Sequence, residues 1–462
     1  MSKSLYHKHV EKLGADIASG AIASGERLPT HRDYAYRHGL APGTVARVYS
    51  ELARRGLATG EVGRGTFARL PKLTPRDVGA GLGQHEGAVR RDLIDLTLNY
   101  PVLSEQTEKL REALQDLSNE QLVARYLAYQ PHGGALGDRE RIAEYASVSG
   151  LQGVDPAAIV LTQGGQHGIA LALLSLCRPG DRVACESLTY PGFKFAAESF
   201  GVDLIPIECD QEGIVPSVLA DVCLAMPIKA LYCMPTVHNP CGWTTSEQRR
   251  VELLGVAEQH GLIVIEDAAY AFLEENSPPP LAQLAPHRVV YIDSFSKIIA
   301  PGLRAGYIAT GNPHWAAALA HGVRVTTWSA TPLSMGLVAR WLNDGTVQRW
   351  AKLKRQHARR LQQIIRSALP ANVKLEGHET AFHALVHLPA PWRADDFTIS
   401  LATDGVAVSP SRAFAVLGGA RPAPPEAVRL AFGGVSEADL LTALTRFRRW
   451  WEDPFTLSNI TL

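Results

Sequence analysis

The stretch DSFSKIIAPGLRAGYIA, residues 293–309, decides how the rest of this sequence is interpreted. It places Lys297 just past the end of VVYID, residues 289–293, a short β-branched run that is typical of a central strand. Open α/β sheets carry their chemistry at such strand ends. A lysine on a loop is more commonly a solvated surface charge, so two readings of Lys297 stand at this point, and its position favours a working amine.

Strand-like and helix-like segments alternate around this stretch from about residue 92 onward. Short apolar runs predict strands at AAIVLT (157–162), DRVACES (181–187), KALYCMP (229–235) and LIVIEDA (262–268). Between them, QHGIALALLSLC (166–177) and EQRRVELLGVAEQHG (247–261) have helical patterns, as does WAKLKRQHARRLQQIIRSAL (350–369). This alternation predicts an α/β fold with a mostly parallel sheet, followed after about residue 325 by a smaller C-terminal subdomain.

One further strand end carries a glycine turn. TQGGQHG, residues 162–168, puts Gly164, Gly165 and Gln166 between a predicted strand and a predicted helix. Free backbone N–H groups and the helix dipole at such a place can hold a phosphate. A glycine pair between strand and helix is also ordinary turn chemistry, and the pattern alone does not separate the two.

Two more segments place polar side chains at strand ends. VHNPCGWT, residues 237–244, offers Asn239 in a tight turn, and LIVIEDAAY, residues 262–270, ends a buried strand with Asp267 and continues to Tyr270. Taken singly, Asn239 fits a plain turn and Asp267 fits a helix cap. Together with Lys297 they predict one ligand site at one edge of the sheet.

The first 70 residues differ from the rest in pattern and charge. Three short helical segments, LYHKHVEKLGADIASG, HRDYAYRHG and LAPGTVARVYSELARRG, precede two short strands around a glycine turn in LATGEVGRGTFARL. This order predicts a winged helix-turn-helix. Residues 1–70 hold 11 Lys/Arg against 6 Asp/Glu, so the segment is basic by five charges and suits a polyanion. We expect Tyr36 to fill part of its core.

The composition of the chain limits which partners, metal sites and cellular locations can be expected. Lys plus Arg and Asp plus Glu both number 46, so overall charge indicates neither nucleic acid nor membrane as a partner. The six cysteines show no metal-binding spacing, and we expect no metal site. The N-terminus does not resemble a signal peptide, and the longest apolar runs, such as IALALLSLC (169–177), are too short to span a bilayer. We therefore expect a cytoplasmic protein.

The length of 462 residues predicts more than one domain. Residues 71–91 are rich in Pro, Gly and charge and lack apolar periodicity. We predict a DNA-binding domain over 1–70, a linker over 71–91 that could extend to roughly 70 Å, and an effector domain over 92–462.

The combined motifs resemble a known family. Asn239-Pro-x-Gly, Asp267-x-x-Tyr270 and Ser294-x-Ser296-Lys297 with Arg304 downstream are similar in order and spacing to fold-type I aminotransferases, which carry pyridoxal 5'-phosphate. With the N-terminal segment attached, the chain resembles MocR-type regulators of the GntR superfamily over nearly its whole length. The resemblance implies a winged helix-turn-helix joined to a fold-type I aminotransferase-like domain.

The resemblance also implies roles for the motif residues. Lys297 would bind the cofactor as a Schiff base, which requires an amine that can lose its proton. Asp267 would keep the pyridine nitrogen protonated, and Asn239 and Tyr270 would contact the ring's phenolic oxygen. Tyr190 would stack on the ring face.

Other positions are implied to bind anionic groups. The residues around the cofactor phosphate would be Gly164, Gly165, Gln166, Ser294, Ser296 and Arg304. Arg429, in EAVRLAFGG, would receive the α-carboxylate of a substrate or effector. Tyr129 would reach the phosphate of the neighbouring subunit, although Asp138 stands before Arg139 where the family usually has leucine.

The resemblance to GntR regulators implies contacts to double-stranded operator DNA. Arg32 would bind a phosphate, and Thr44 and Arg47 would face base edges from a recognition helix whose apolar residues turn inward. Arg64 would reach the DNA from the wing. We expect Val45, Val48 and Leu52 to face the core of the domain.

These observations favour a transcriptional regulator that binds pyridoxal 5'-phosphate and senses it, an amino acid or an amine. The resemblance implies a head-to-tail homodimer in which each N-terminal domain packs on the partner. A working aminotransferase with an accessory domain is the alternative, because every residue that the cofactor chemistry requires is present. A regulator with a degenerate, cofactor-free domain would have lost Lys297 or Asp267, and both are present.

Overall fold

A computed structural model describes residues 5–18, 22, 26–54, 58–61, 65–68, 93–119, 123–416 and 424–452. The chain divides into two compact units, Met1–Asp92 and Leu93–Leu462. The predicted linker, residues 71–91, lies outside the described residues, so the domain boundaries proposed from sequence stay a prediction.

The described residues of the first unit form three helices and a two-stranded sheet. They are α1 (Leu5–Ala18), α2 (His31–His38), α3 (Pro42–Arg54), β1 (Ala58–Glu61) and β2 (Gly65–Ala68), with β1 and β2 antiparallel. Helix α2 begins where the Thr30 side chain accepts from the Asp33 N–H, and it ends at Gly39 in the left-handed conformation.

The core of this unit follows the predicted apolar face of α3. Val45, Val48 and Leu52 are fully buried and pack with Val10 of α1. The expectation for Tyr36 was wrong: its side chain is 92% exposed, because its position on α2 points away from the cluster that buries Tyr34. The helix-turn-helix core is therefore closed without Tyr36.

The second unit is built on a seven-stranded sheet of order β4-β12-β11-β10-β9-β5-β6. Only β12 runs antiparallel to its neighbours, and all other pairs are parallel. These strands are β4 (Ile159–Thr162), β5 (Arg182–Glu186), β6 (Asp203–Ile207), β9 (Ala230–Cys233), β10 (Ile263–Asp267), β11 (Val289–Ser294) and β12 (Gly306–Ala309). The α/β fold with a mostly parallel sheet is confirmed.

Alternating strand residues fill two separate cores on the two faces of this sheet. On β9, Leu231 belongs to one core and Tyr232 to the other. Burial on both faces explains the continuous apolar runs from which the strands were predicted. The helices of this part are α4 (Gln106–Ser118), α5 (Leu136–Val148), α6 (Gly165–Leu176), α7 (Pro191–Ser199), α8 (Pro216–Ala225), α9 (Glu247–Gln259), α10 (Leu281–Leu284), α11 (Phe295–Ile298), α12 (Pro313–Thr326) and α13 (Pro332–Asn343).

A smaller antiparallel sheet of order β13-β14-β17-β16 forms the predicted C-terminal subdomain. Its strands are β13 (Leu375–Glu376), β14 (His383–His387), β16 (Ser409–Pro410) and β17 (Ala427–Ala431), and its helices are α14 (Thr346–Ala368), α15 (Ala394–Thr403) and α16 (Glu437–Glu452). The described residues of this unit also form two short strand pairs: β3 (Ile94–Asp95) with β15 (Val406–Ala407), and β7 (Cys209–Asp210) with β8 (Gly213–Ile214). Among the described helices, none has both the length and the apolar character that a membrane crossing requires.

Candidate functional site

Lys297 lies in α11, immediately after the carboxyl end of β11. Its Nζ donates a hydrogen bond to the backbone oxygen of Asn99 and lies 5.7 Å from the centroid of the Tyr270 ring. Burial lowers the pKa of Lys297 to about 8, and the charges of Arg429 and Arg304 add to this while Asp267 opposes it. The amine can therefore lose its proton near neutral pH, as a nucleophilic lysine must.

Asp267 ends β10 and is buried, 6% exposed. Its carboxylate accepts from the Tyr232 hydroxyl at 2.7 Å and from the Ala269 N–H at 3.0 Å. Burial raises the pKa of Asp267, while these two donors and the Lys297 amine act in the opposite direction. Among the described residues no Lys, Arg or His side-chain nitrogen lies within 4.0 Å of this carboxylate, so it suits a cationic partner supplied by a ligand.

Arg429 lies on β17 with its guanidinium buried, 6% exposed. It donates to Asn239 Oδ1 at 3.2 Å, to Ser409 Oγ at 3.4 Å and to the backbone oxygen of Thr97. Its Nε finds no acceptor in the described part of the chain. Burial lowers the pKa of Arg429 to about 10, and no described carboxylate pairs with it, so this buried cation suits a carboxylate ligand.

Tyr270 belongs to a buried network that sequence reasoning missed. Its hydroxyl accepts from Asn99 Nδ2 at 3.0 Å, and the same Nδ2 lies 3.0 Å from His383 Nδ1. His383 Nε2 lies 2.9 Å from the carbonyl oxygen of His238. Burial lowers the pKa of His383 to about 3, so the ring is neutral.

Glycines and hydroxyls form a cradle for an anion at the start of α6. Gly164 has φ +84°, and the backbone N–H groups of Gly165 and Gln166 have no acceptor among the described residues. A Cβ added to Gly164 would lie 3.3 Å from Arg304 Nη2 and 3.5 Å from Ser296 Oγ. One added to Gly165 would lie 3.3 Å from Ser294 Cβ. The helix end, two hydroxyls and a guanidinium thus converge as a phosphate would require.

Tyr190 lies just before α7, where the charges of Asp267, Arg304 and Arg429 affect its hydroxyl. Burial raises its pKa and Asp267 adds to this, while Arg304 and Arg429 act in the opposite direction. The side chain of Gln166 does not turn into the cradle; its Nε2 donates to Gly192 O at 2.8 Å. A Cβ at Gly192 would lie 2.4 Å from the Tyr190 ring, so only glycine allows these side chains to pack together.

Lys354 of α14 is a second buried lysine, and sequence reasoning missed it as well. Its Nζ donates to the backbone oxygens of Lys297 at 2.9 Å and Ile299 at 3.1 Å. Burial lowers the pKa of Lys354 to about 7, and the Lys297 charge adds to this. It therefore holds the end of the short helix α11 that carries Lys297.

Tyr129 does not join the described residues of this site. Its side chain is 88% exposed, and its ring centroid lies 5.6 Å from that of Trp328. An aromatic side chain at the surface fits the predicted contact to a neighbouring subunit, which stays a prediction.

The predicted DNA contacts lie in the first unit. Arg32 on α2 and Arg47 on α3 are exposed, and Thr44 is half-buried. The Arg47 guanidinium lies 5.1 Å from the centroid of the Tyr6 ring. Arg64 lies outside the described residues. Both described arginines are exposed, as a contact to DNA requires, and their roles stay predictions.

Comparison with known proteins matches both units. The family "Aminotransferase class I and II" matches residues 91–447, and "Bacterial regulatory proteins, gntR family" matches residues 5–68. The "Uncharacterized HTH-type transcriptional regulator YdeF" of Bacillus subtilis is 28% identical over 93% of this chain and 90% of its own length. The HTH-type pyridoxine biosynthesis transcriptional regulator PdxR of Corynebacterium glutamicum is 26% identical over 86% of each.

The fold of the second unit also matches solved structures. LysN, an α-aminoadipate aminotransferase of Thermus thermophilus in complex with N-(5'-phosphopyridoxyl)-L-leucine, aligns with TM-score 0.71 and 23% identity over 83% of this chain and 98% of its own.

The residues assembled here fit pyridoxal 5'-phosphate. An amine of lowered pKa, a buried carboxylate and an anion cradle match its aldehyde, ring nitrogen and phosphate in turn. The chain therefore belongs to the aminotransferase class I and II family, whose cofactor is pyridoxal 5'-phosphate, and with its GntR-family domain it has the architecture of MocR-type transcriptional regulators.

Proposed function

We propose that this chain is a DNA-binding transcriptional regulator that holds pyridoxal 5'-phosphate through Lys297 and senses the cofactor together with an amino acid or another amine. One observation carries the proposal: a complete set of cofactor-type groups, with Lys297 at its centre, follows a GntR-family DNA-binding domain in the same chain. Such a function would place the protein in the cytoplasm with the DNA.

The cofactor supplies an aldehyde that captures primary amines, and the chain supplies the groups that bind and orient it. In this proposal Asp267 holds the ring nitrogen in its protonated form, because a buried carboxylate stabilises an adjacent cation. Asn239 and Tyr270 would contact the phenolic oxygen, and Tyr190 would lie against the ring face.

The phosphate would lie at the start of α6, where N–H groups and the helix dipole favour an anion. Gly164 gives the backbone room there, and Gly165 and Gln166 provide the free N–H groups. Ser294 and Ser296, at the end of β11, and Arg304, just before β12, would complete the cradle.

Arg429 is proposed as the group that receives the carboxylate of the effector. It is a buried cation whose partners among the described residues are neutral oxygens, and its Nε is still without an acceptor. A carboxylate would satisfy that donor and neutralise the charge, which favours amino acids over amines that lack an acid group.

The remaining proposals concern assembly. We propose a head-to-tail homodimer over the boundaries 1–70, 71–91 and 92–462, with Tyr129 contacting the partner's cofactor phosphate. Ligand binding would favour one arrangement of the dimer and so change the spacing of the two DNA-binding domains. In each domain, Arg32 would bind a phosphate, Thr44 and Arg47 would face bases, and Arg64 would contact DNA from the wing.

A working aminotransferase is the second candidate, favoured by the same three groups, Lys297, Asp267 and Arg429. It would consume an amino acid and a keto acid with turnover, whereas the sensor needs only to bind. An assay of amino-group transfer from L-glutamate and L-alanine to 2-oxo acids separates the two, because sustained product formation would favour the enzyme.

The regulator is tested by a DNA footprint of the purified chain on the region upstream of its own gene, at one fixed salt concentration. We expect two protected half-sites whose occupancy changes when pyridoxal 5'-phosphate is added. A Lys297→Ala variant is the matched control: it should protect the same sites and lose the response to the cofactor. Absence of specific protection with and without cofactor would contradict the proposed function.

A further inference from the structure

Asn99 contacts three residues of the candidate site, although the proposed function assigns it no role. It lies in the short segment after β3, 7% exposed, and three of its bonds go to residues that are distant in sequence. Its backbone oxygen accepts from Lys297 Nζ, and its Nδ2 contacts Tyr270 and His383. Its Oδ1 is buried without a donor in the described part of the chain.

The direction of each hydrogen bond in this network can be assigned. The carbonyl oxygen of His238 can only accept, so His383 Nε2 carries the hydrogen of the neutral ring. His383 Nδ1 is then the acceptor, and it takes one hydrogen of Asn99 Nδ2 at 3.0 Å. The other Nδ2 hydrogen goes to the hydroxyl oxygen of Tyr270.

This assignment fixes the polarity of the Tyr270 hydroxyl. Its oxygen already accepts from Asn99, and its hydrogen has no acceptor among the described residues. The Tyr270 hydrogen is therefore available to a ligand, and the Lys297 amine lies 5.7 Å from the Tyr270 ring centroid. Without Asn99, the Tyr270 hydroxyl could point its hydrogen to the other side of the ring, because its orientation follows the acceptors around it.

We propose that Asn99 is a positioning residue of the cofactor site: its amide holds the Tyr270 hydroxyl as a donor to the cofactor's ring oxygen, and its backbone oxygen receives the Lys297 amine whenever that amine is free. The inference rests on the proposed function, because it requires the cofactor on Lys297. It adds a residue that neither acts on a ligand directly nor lies in any of the sequence motifs.

The expected consequence is spectroscopic. A donor to the ring oxygen stabilises its negative charge, and so favours loss of the proton from the nitrogen that joins the cofactor to Lys297. That proton loss changes the visible absorbance of the bound cofactor. The midpoint of the change therefore reports whether Tyr270 is donating, while Asp267, Arg304 and Arg429 contribute equally in each protein compared.

The test is a pH titration of this absorbance with the full chain loaded with pyridoxal 5'-phosphate. We expect Asn99→Ala to raise the midpoint by roughly half a pH unit, the effect of one ordinary hydrogen bond. Leu98→Ala is the matched control, since Leu98 is 38% exposed in the same segment, and its midpoint should equal that of the wild type. An unchanged midpoint in Asn99→Ala would overturn the proposal.

Asn99→Asp covers the case in which the alanine variant fails to fold. The carboxylate has nearly the shape of the amide but accepts hydrogens only, so it would take the Tyr270 hydrogen for itself. Its midpoint should also rise, both because Tyr270 no longer donates to the ring oxygen and because the added negative charge favours the protonated nitrogen. A midpoint equal to or below the wild-type value would overturn the role of Asn99. The two possible failures differ in the wild type. If the wild-type chain takes up no cofactor, the proposed function is contradicted; if it does and only the midpoints fail to shift, the role of Asn99 alone is contradicted.

Discussion

At the scale of single residues, the charge state of Lys297 is the property on which cofactor binding depends. Only the neutral amine attacks an aldehyde, and the pKa of Lys297 is lowered to about 8 by burial and by Arg429 and Arg304. We predict that the rate of pyridoxal 5'-phosphate uptake rises with pH and levels off above about pH 8. Rapid mixing of protein and cofactor over this range, followed by absorbance, measures it.

Two variants serve as controls for that prediction. Lys297→Ala should show no absorbance of covalently bound cofactor at any pH, because the nucleophile is gone. Lys352→Ala should behave as the wild type, since Lys352 is exposed on α14. A rate that does not change through pH 8, or a bound-cofactor band in Lys297→Ala, would show that another amine takes up the cofactor.

Local sequence pattern predicted residues at strand ends, the family resemblance added Arg429 on β17, and Asn99, His383 and Lys354 were missed. Lys297 and Asp267 could be found because strand, turn and polar residue follow one another in the chain. Asn99 and His383 bond each other across 284 positions, and no local pattern distinguishes either from an ordinary core residue. Lys354 lies among other cations of an amphipathic helix and looked like a surface charge.

At the scale of elements, periodicity located strands and helices well but not their order in the sheet. The predicted run LIVIEDA contains β10 and VVYIDS coincides with β11, because both are apolar on two faces. The antiparallel direction of β12 relative to β4 and β11 was not predicted, because no hydrophobic pattern encodes the direction of a strand. Arg304 lies just before β12 with φ +50°.

The contact between α14 and α11 supports a prediction about stability. The pKa of Lys354 falls from 10.5 to about 7 on folding, so between these values the unfolded chain binds more protons there than the folded chain. The free energy of unfolding should therefore rise with pH in this window, by at most about 1.4 kcal/mol per pH unit. Lys354→Met should lose that rise, and urea unfolding of both proteins at several pH values measures the difference.

Lys352→Met is the matched control on the same helix. Its side chain is exposed, so the difference in stability between this variant and the wild type should be the same at every pH. The prediction would be contradicted if the free energy of unfolding changed with pH in the same way in the wild type and in Lys354→Met. Lys354 would then be solvated and would not hydrogen-bond the carbonyls of Lys297 and Ile299.

At the scale of the whole molecule, the chain joins two units that each close their own core. The first is closed by residues such as Val45 and Leu52, and the second by the two faces of its large sheet. Substitutions in separate cores with no shared partners have additive effects on stability. DNA binding and cofactor binding should therefore be separable by mutation, even though a regulator must couple them when a ligand arrives.

Arg47→Ala tests that separation. Arg47 is exposed on α3, the proposed recognition helix, and loss of one base contact costs about 1–3 kcal/mol, or about 5- to 150-fold in affinity. We predict this loss on the protected operator at fixed salt, a smaller loss on random DNA, and unchanged uptake of pyridoxal 5'-phosphate. Arg37→Ala is the control: it removes the same charge from an exposed position on α2, and it should weaken binding to the operator and to random DNA by the same factor. Equal operator affinity of Arg47→Ala and wild type would show that α3 does not read the bases.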